Sequence, residues 1–436
     1  MKFFGFKGGV HPPENKIQTE NQAIEIFKAS KMVTIPLLQH IGVPLTPCVE
    51  VGERVLKGQK IGDSQGFLSV PIHSSVSGIV KKIEVMPFPL MGEVLTVVVE
   101  NDFADEWVEL KKIEDWKKSS KEELLAVIKE KGIVGLGGAA FPTHIKLNPP
   151  ADTKIEALLL NGAECEPYLN SDNRVMIEDS EKVVEGIKIM KHILGVELAV
   201  IGIEDNKLES IEVMKNACKG TGIEVMPLKT MYPQGGEKSL IKAILNKEVP
   251  SGKLPSSVGA VVNNTTTAAA IYDAVVNGLP LLDKVVTVTG KAISEPKNLK
   301  VLIGTPINEI LEYCGYNEEI VEKVVMGGPM MGMAQFKLEV PVIKGTSGLL
   351  ALTKEETNAC KPKSCIGCGK CVDVCPMSLE PIMYARLAEF SQWEDMGRYH
   401  LMDCIECGSC SYICPANRPL TEAIKIGKAK LRSLKK

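Results

Sequence analysis

Eight cysteines near the end of the chain carry its strongest chemical signal: Cys365-Ile-Gly-Cys368-Gly-Lys-Cys371-Val-Asp-Val-Cys375-Pro376 and Cys404-Ile-Glu-Cys407-Gly-Ser-Cys410-Ser-Tyr-Ile-Cys414-Pro415. Both runs read C-x2-C-x2-C-x3-C-P. In that spacing three thiolates wrap one iron–sulfur cubane and the fourth reaches across to another. Two runs imply two 4Fe-4S clusters, and the crossing rule assigns Cys365, Cys368, Cys371 and Cys414 to one and Cys404, Cys407, Cys410 and Cys375 to the other. Gly367, Gly369 and Gly408 allow close approach without a Cβ, and Pro376 and Pro415 turn the chain away. The chemistry is one-electron transfer. Structural zinc is the competing reading, but zinc needs four ligands per site and has no use for a third x2-spaced cysteine followed by Cys-Pro. Disulfides are the other. Met1 to Val10 has neither the apolar core nor the small-residue cleavage pattern of a signal peptide, so the expected compartment is reducing.

These ligands must be held by the rest of a chain of 436 residues, 44% hydrophobic and 24% charged, which is enough for several buried cores. A net charge of -3 argues against a nucleic-acid partner. No apolar run is long enough to cross a membrane, so membrane association is expected through a partner or the surface. The cations Lys425, Lys428, Lys430, Arg432, Lys435 and Lys436 crowd the last turns. A solvated helix face is expected there rather than a contact with anionic lipid.

Residues 1–30 form a glycine- and proline-marked arm. Residues 31–110 carry short β segments separated by turn residues, the pattern of a small β-sandwich. After a charged connector, Ser120 with Glu123 forms a capping-box pattern, Leu124, Leu125 and Ile128 give an apolar stripe, and Gly132 stops the helix. Gly135-Leu-Gly137-Gly138-Ala139-Ala140-Phe141-Pro142-Thr143-His144-Ile145-Lys146 follows. Its G-x-G-x-x-A match to the dinucleotide fingerprint fails on context. A helix precedes the glycines, and Pro142 sits where the fingerprint's own helix should be running. Two readings stay open: a backbone cradle whose N–H groups and Lys146 meet phosphate, or a tight turn.

From 155 to 262 the pattern alternates strand and helix, including a helix over 178–194, which predicts an α/β domain with a largely parallel sheet over 111–278. Ligands in such sheets sit beyond the carboxyl ends of the strands. The loops there are polar: Asn161-Gly-Ala-Glu164-Cys165-Glu166-Pro167-Tyr168, Tyr232-Pro-Gln-Gly235-Gly236-Glu237 and Asn263-Asn264-Thr265-Thr266-Thr267. They suit a flavin ring edge and ribose hydroxyls, and equally a set of capped helix starts.

Together the cradle with Lys146, the Glu164-x-Glu166-Pro167 loop with Asp172 and Arg174, Gly235 with Glu237, and Asn263-Asn264-x-x-Thr267 resemble the FMN- and NADH-binding subunit of respiratory complex I. The domain order, with His11-Pro12-Pro13-Glu14-Asn15-Lys16 at the start and two ferredoxin runs at the end, is more similar to the C subunit of Rnf-type ion-translocating electron transport complexes. The segment from Val51 to Ile61 with Val76 to Val80 resembles the biotinyl/lipoyl-carrier fold. No lysine stands at the tip, Gly66 to Ile72, so a structural or docking role is expected. The resemblance implies a multidomain α/β architecture: arm (1–30), biotinyl/lipoyl-like β-sandwich (31–110), FMN/NADH-binding α/β domain (111–278), soluble-ligand-binding β-grasp module (279–340) and helical two-cluster ferredoxin domain (345–436). It implies FMN on the glycine cradle, with NAD(H) stacking on its exposed face beside the acidic loop, and as cofactor-binding residues Gly135, Gly137, Gly138, Ala139, Lys146, Asn161, Glu164, Glu166, Gly235, Glu237, Asn263, Asn264 and Thr267. Two departures stand out. Complex I has one C-terminal cysteine set, and a glutamate in that family corresponds to Gly236 here.

A nicotinamide exchanges two electrons as hydride and a cluster exchanges one, so flavin is the carrier competent for both, and no proton-transferring side chain is required. The implied function is that of a peripheral subunit on the cytoplasmic face of the inner membrane. It would move electrons between NAD(H), FMN and two 4Fe-4S clusters, exchanging them with ferredoxin indirectly through other subunits. A cobalamin reductase of the microcompartment type and a non-enzymatic cluster relay are the alternatives. Cys48, Cys165, Cys218, Cys314 and Cys360 are expected to be unliganded thiols.

Overall fold

A computed structural model describes residues 4–90, 92–357 and 360–434. Lys435 and Lys436 of the basic cluster, and Met1 to Phe3 of the opening segment, lie outside the described residues. In the amino-terminal domain, β-branched residues at alternate positions are paired across strands. Met32–Pro36 runs antiparallel to Glu93–Asn101, with Val33 opposite Val99 and Ile35 opposite Val97, and all four side chains are buried. Gly78–Pro87 and Arg54–Val55 complete that four-stranded sheet, and a three-stranded sheet of Thr46–Pro47, Lys60–Asp63 and Ile72–His73 packs against it through Ile61 and Ile72.

The next domain has four strands, all parallel, in the order Ile223–Leu228, Leu198–Glu204, Ala157–Asn161, Ala260–Asn264. Ser120 caps the helix Lys121–Glu130 with both bonds of the capping box. The helix expected over 178–194 runs Ser180–Leu194, and a separate helix, Ser171–Glu178, precedes it across Asp179. Ser180–Leu194 crosses Thr265–Val276 so closely that a Cβ at Gly186 would lie 1.8 Å from the Ala268 carbonyl oxygen. Register sets Asn264 opposite Asn161, so both polar loops leave the same edge of the sheet.

The sheet that takes in the expected β-grasp module extends beyond 279–340. Its six strands run in the order Ile24–Ile26, Lys297–Leu302, Asp283–Thr289, Gly348–Thr353, Val321–Met326, Met333–Gln335. The arm supplies the first strand. The strand Gly348–Thr353 lies beyond the expected limit because its run Leu349, Leu350, Ala351 is buried on both faces and so lacks the polar–apolar alternation that marks a strand in sequence.

In the carboxyl-terminal domain, Leu379, Ile382, Met383, Leu387, Phe390 and Trp393 are spaced in sequence as one helical stripe between the cysteine runs, and the structure interrupts it. Leu379 and Leu387 are buried, but the helix Pro381–Glu389 ends before Phe390, whose side chain is 68% exposed. Trp393–Arg398 starts a new helix after Ser391, which has φ +54°. Tyr384, Met396, Leu401, Leu420 and Ile424 supply the core instead. The basic cluster is not wholly solvated either. Lys428 is buried and donates to the Cys404 carbonyl and to Glu406, while Lys430 and Arg432 face out.

Candidate functional site: two cysteine quartets and a glycine cradle

Each cysteine quartet surrounds its own cavity. Cys365, Cys368, Cys371 and Cys414 line one with Ile366, Ile382 and Pro415, and Cys375, Cys404, Cys407 and Cys410 line the other with Tyr384, Ile405 and Ile424. The fourth cysteine of each run therefore stands with the three of the other. Among the described residues no three Cys, His, Asp or Glu side chains converge closely enough to hold a single metal ion. Four thiol groups spread around a cavity suit a polynuclear group with sulfur-rich corners. Burial holds the Cys404 thiol up near 11 and that of Cys410 near 12, so a ligand must supply the positive charge that makes them thiolates.

Three segments lie against the second quartet. Tyr232, whose hydroxyl is buried, donates to the Cys407 carbonyl at 2.7 Å. The Gly327-Gly328-Pro329-Met330 loop of the β-grasp module meets Gly408, where a Cβ would lie 2.8 Å from the Met330 carbonyl oxygen. Asp403 accepts from Gly252 N–H and from Ser251. The first quartet stands outside this packing, with residues 360–370 all exposed.

The glycine cradle is a turn between Val134 and Pro142, which pair as an isolated bridge, and the short helix Thr143–Lys146 starts after it. Leu136 N–H donates to Thr267 Oγ1, and Lys284, fully buried, donates to the Leu136 carbonyl at 2.9 Å. Gly137, Gly138 and Ala139 are exposed, and above Gly138, at φ +106°, an added Cβ would touch nothing. Gly135 returns its N–H to the Phe141 carbonyl. Lys146 pairs with Glu237 at 2.6 Å, so the two residues expected at opposite parts of the site stand together.

The other expected site residues divide into those already engaged and those with free polar atoms. Asn161 donates to the Gly235 carbonyl and accepts from Ala163 N–H. Asn264 accepts from Thr267 N–H as a helix cap and donates to Asp172. Glu164, buried and at φ +45°, accepts from Asp172 N–H, Asn173 N–H and Ser171 Oγ, which caps Ser171–Glu178. Burial raises its pKa against the pull of Lys16. Glu166 accepts from Met330 N–H and faces the Tyr232 hydroxyl, and burial pushes its carboxyl up to about 7. By contrast, Asn263 Nδ2 and both amide atoms of Gln234, at the carboxyl edge of the sheet, are buried without a partner among the described residues, as are Thr143 Oγ1 and His144 Nδ1 in the short helix after the cradle. Unpaired buried polar atoms cost about 1–3 kcal/mol each, so Asn263 and Gln234 suit a polar ligand at the strand ends. An open glycine turn, a lysine and these groups fit the phosphate, hydroxyls and ring edge of a flavin nucleotide.

Sequence reasoning missed the arm. Lys16 is fully buried, donates to the Glu164 and Leu169 carbonyls, and is pulled down to about 8 by burial. Gly9 N–H bonds the Val374 carbonyl at 2.9 Å, and Val10 exchanges two backbone bonds with Tyr232 at 2.8 and 2.9 Å. The arm therefore ties the ligand segment Val374-Cys375 to the loop carrying Tyr232. In the sequence the arm showed Gly8-Gly9 and the His11–Lys16 segment that carries the resemblance, and neither has a periodicity that announces these joints. Of the remaining thiols, Cys218 and Cys314 are buried and Cys48 is exposed, while Cys165 accepts from Gly235 N–H inside the acidic loop.

Comparison with known proteins follows the same divisions. Residues 4–104 match the RnfC barrel sandwich hybrid domain, which takes in the arm, 128–273 the Nuo51 FMN-binding domain, 285–334 the SLBB domain and 364–418 the 4Fe-4S dicluster domain. FMN and 4Fe-4S clusters are thus the cofactors of these domains. The chain is 49% identical over 430 residues to the C subunit of the proton-translocating ferredoxin:NAD(+) oxidoreductase complex of Clostridium ljungdahlii, covering 98% of this chain and 94% of that one. It is 45% identical over 433 residues to the C subunit of the Na(+)-translocating ferredoxin:NAD(+) oxidoreductase complex of Acetobacterium woodii, covering 99% and 98%. To the C subunit of the ion-translocating oxidoreductase complex of Rhodobacter capsulatus it is 42% identical over 436 residues, covering 99% and 84%. Among solved structures, the NAD+-reducing [NiFe]-hydrogenase in its H2-reduced state superposes with a TM-score of 0.53 at 16% identity, over 73% of this chain and 62% of that one, a likeness of fold alone.

Proposed function

The chain belongs to the C-subunit family of ion-translocating oxidoreductase complexes, and from that premise we propose that it carries electrons between NAD(H) and ferredoxin through FMN and two 4Fe-4S clusters. When bound, FMN takes up the two electrons of a hydride and releases them singly to clusters. The observation that carries the reading is the joint at Tyr232. The polar loop at the sheet's carboxyl edge and the Cys407 loop share one hydrogen bond, so nucleotide site and cluster site are neighbours.

In this reading the N–H groups of Gly137, Gly138 and Ala139 meet the flavin phosphate, Gly135 shapes the turn by bonding its own N–H to the Phe141 carbonyl, and Lys146, held by Glu237, supplies the cation. Asn263 and Gln234 donate to the flavin, while Asn264, Thr267, Asn161, Gly235 and Glu164 hold the loops in shape. Glu166 lies on the nicotinamide side. Cys375, Cys404, Cys407 and Cys410 hold the cluster nearer the flavin domain, and Cys365, Cys368, Cys371 and Cys414 hold the outer one. The proposed domain limits are 31–110, 111–278, 279–353 and 360–434. No helix among the described residues is long and apolar enough to cross a membrane. In this reading the protein sits on the cytoplasmic face of its complex, held there by other subunits. No observation favours transfer to a corrinoid.

The test is NADH oxidation by the purified, anaerobically loaded protein with ferricyanide as acceptor. Activity that tracks flavin content supports the reading. Protein containing full flavin that fails to oxidise NADH overturns it.

A further inference from the structure

The two cysteine quartets differ in surroundings, and the difference points outward. The inner quartet is enclosed by Tyr232, Met330 and the Asp403 contacts. Around the outer one, residues 360–370 form a continuous exposed run that includes Cys365 and Cys368, with Ile366 71% exposed between them. Ile366 thus places one apolar side chain in the middle of a polar surface, directly beside two cluster ligands. The same run contains Lys361, Lys363 and Lys370 and no acid. None of the three lysines has an ion pair among the described residues, whereas Lys81, Lys82 and Lys291, also on the surface, each have one. The cavity's remaining charged wall is Arg418, whose partner is Glu389. The next acid along the chain, Asp373, is outside the cavity lining. A chain of net charge -3 thus concentrates positive charge at the one quartet it leaves uncovered.

Resting on the function proposed above, we propose that Lys361, Lys363 and Lys370, with Ile366 at their centre, form the docking face for an acidic iron–sulfur protein domain that exchanges single electrons with the outer cluster. The apolar centre and charged rim are those of a small, transient interface. Opposite charge speeds encounter and orients the partner more than it tightens the complex. The balance is simple. Each docking moves one electron from the partner's reduced cluster to the chain, and two dockings supply the pair that, with one proton, converts NAD+ to NADH; the reverse flow uses the same face.

The experiment compares the loaded wild-type protein with K361E/K363E/K370E, using a small acidic two-cluster ferredoxin as the probe. Binding and carbodiimide cross-linking are measured across ionic strength, with iron content and NADH-driven cluster bleaching recorded without the probe. The expected result is binding weakened about 10- to 100-fold at low salt, with the salt dependence of the wild type flattened in the variant. Cross-links in the wild type should map to these three lysines. The triple glutamine variant should fall between the two, which keeps the test valid if charge reversal lowers iron content. Equal binding by all three proteins, or cross-links elsewhere, overturns the proposal. So does loss of binding to phosphatidylglycerol vesicles, or of self-association, with ferredoxin binding retained. If NADH does not bleach the wild-type clusters, the functional reading fails instead, whatever the binding.

Discussion

Gly8→Ala tests whether the arm sets the relation between the flavin domain and the inner quartet. Gly8 has φ +79°, and a Cβ there would lie 2.8 Å from the Val374 carbonyl oxygen and 2.9 Å from the Cys375 carbonyl carbon and oxygen. Left-handed backbone costs a residue with a Cβ roughly 1–2 kcal/mol. Overpacking against backbone atoms that cannot rotate away adds about 1–3 kcal/mol. What holds the joint is three backbone bonds, Gly9 to Val374 and the Val10–Tyr232 pair, worth about 1 kcal/mol each. Strain and grip are therefore of the same size, and the substitution should lift the arm without unfolding the domains. Hydrogen exchange at the Gly9, Val10 and Tyr232 amides reads this directly. A loss of about 2 kcal/mol corresponds to exchange faster by about 30-fold. Gly52→Ala is the control: its φ is +90°, but its Cβ would touch nothing, so it carries the same backbone strain without the clash. In rapid mixing with NADH, Gly8→Ala should bleach flavin at the wild-type rate and the clusters more slowly. Unchanged exchange at all three amides, or exchange raised equally by Gly52→Ala, would show that the arm does not hold this joint.

Other outcomes follow from the same geometry. Lys146→Ala should release FMN and leave iron content unchanged, as measured by flavin fluorescence after desalting; equal flavin retention contradicts the phosphate assignment. Cys414→Ala should give the EPR change of Cys365→Ala rather than that of Cys404→Ala, and Cys375→Ala should resemble Cys404→Ala; the opposite pairing means that each run holds its own cluster. Glu166 has a folded pKa near 7, above its ordinary 4.5. The folded protein then holds more protons between those values, so this group's stabilising contribution is complete below about 4.5 and is lost as pH rises through about 7. Glu166→Gln should remove that slope, so the wild-type-minus-variant difference in thermal midpoint should change between pH 4.5 and 7, and a flat difference contradicts the burial of the carboxyl.

What the sequence made legible was local. Ligand spacing in the cysteine runs is set by a few residues of backbone around a cubane, and the alternating pattern of 155–262 is a property of neighbours, so both were readable. The capping box at Ser120 and Glu123 was readable for the same reason. Long-range joints were not. Lys16 meets the Glu164 carbonyl across 148 residues, and no periodicity in the arm announces it. Glu164 looked like a ligand because an acidic loop at a sheet edge suits one, but the start of Ser171–Glu178 leaves amide groups unpaired and captures its carboxylate first. The strand Ile24–Ile26 has only three residues, and its partner lies in the β-grasp module. Phe390 fitted a helical stripe in sequence and lost its place where the helix ended.

The proposed function requires one chain to join a two-electron nucleotide site to two one-electron clusters. An anaerobic titration of the loaded protein with NADH, followed optically and by EPR with iron and flavin counted in the same sample, reads that junction without intermediaries. One FMN and about eight cluster irons per chain are expected from two cubanes and one flavin site, with both clusters and the flavin drawing on the NADH added. Flavin that is reduced while neither cluster responds, at any ratio of NADH to protein and with a low-potential reductant reaching both clusters, would contradict it.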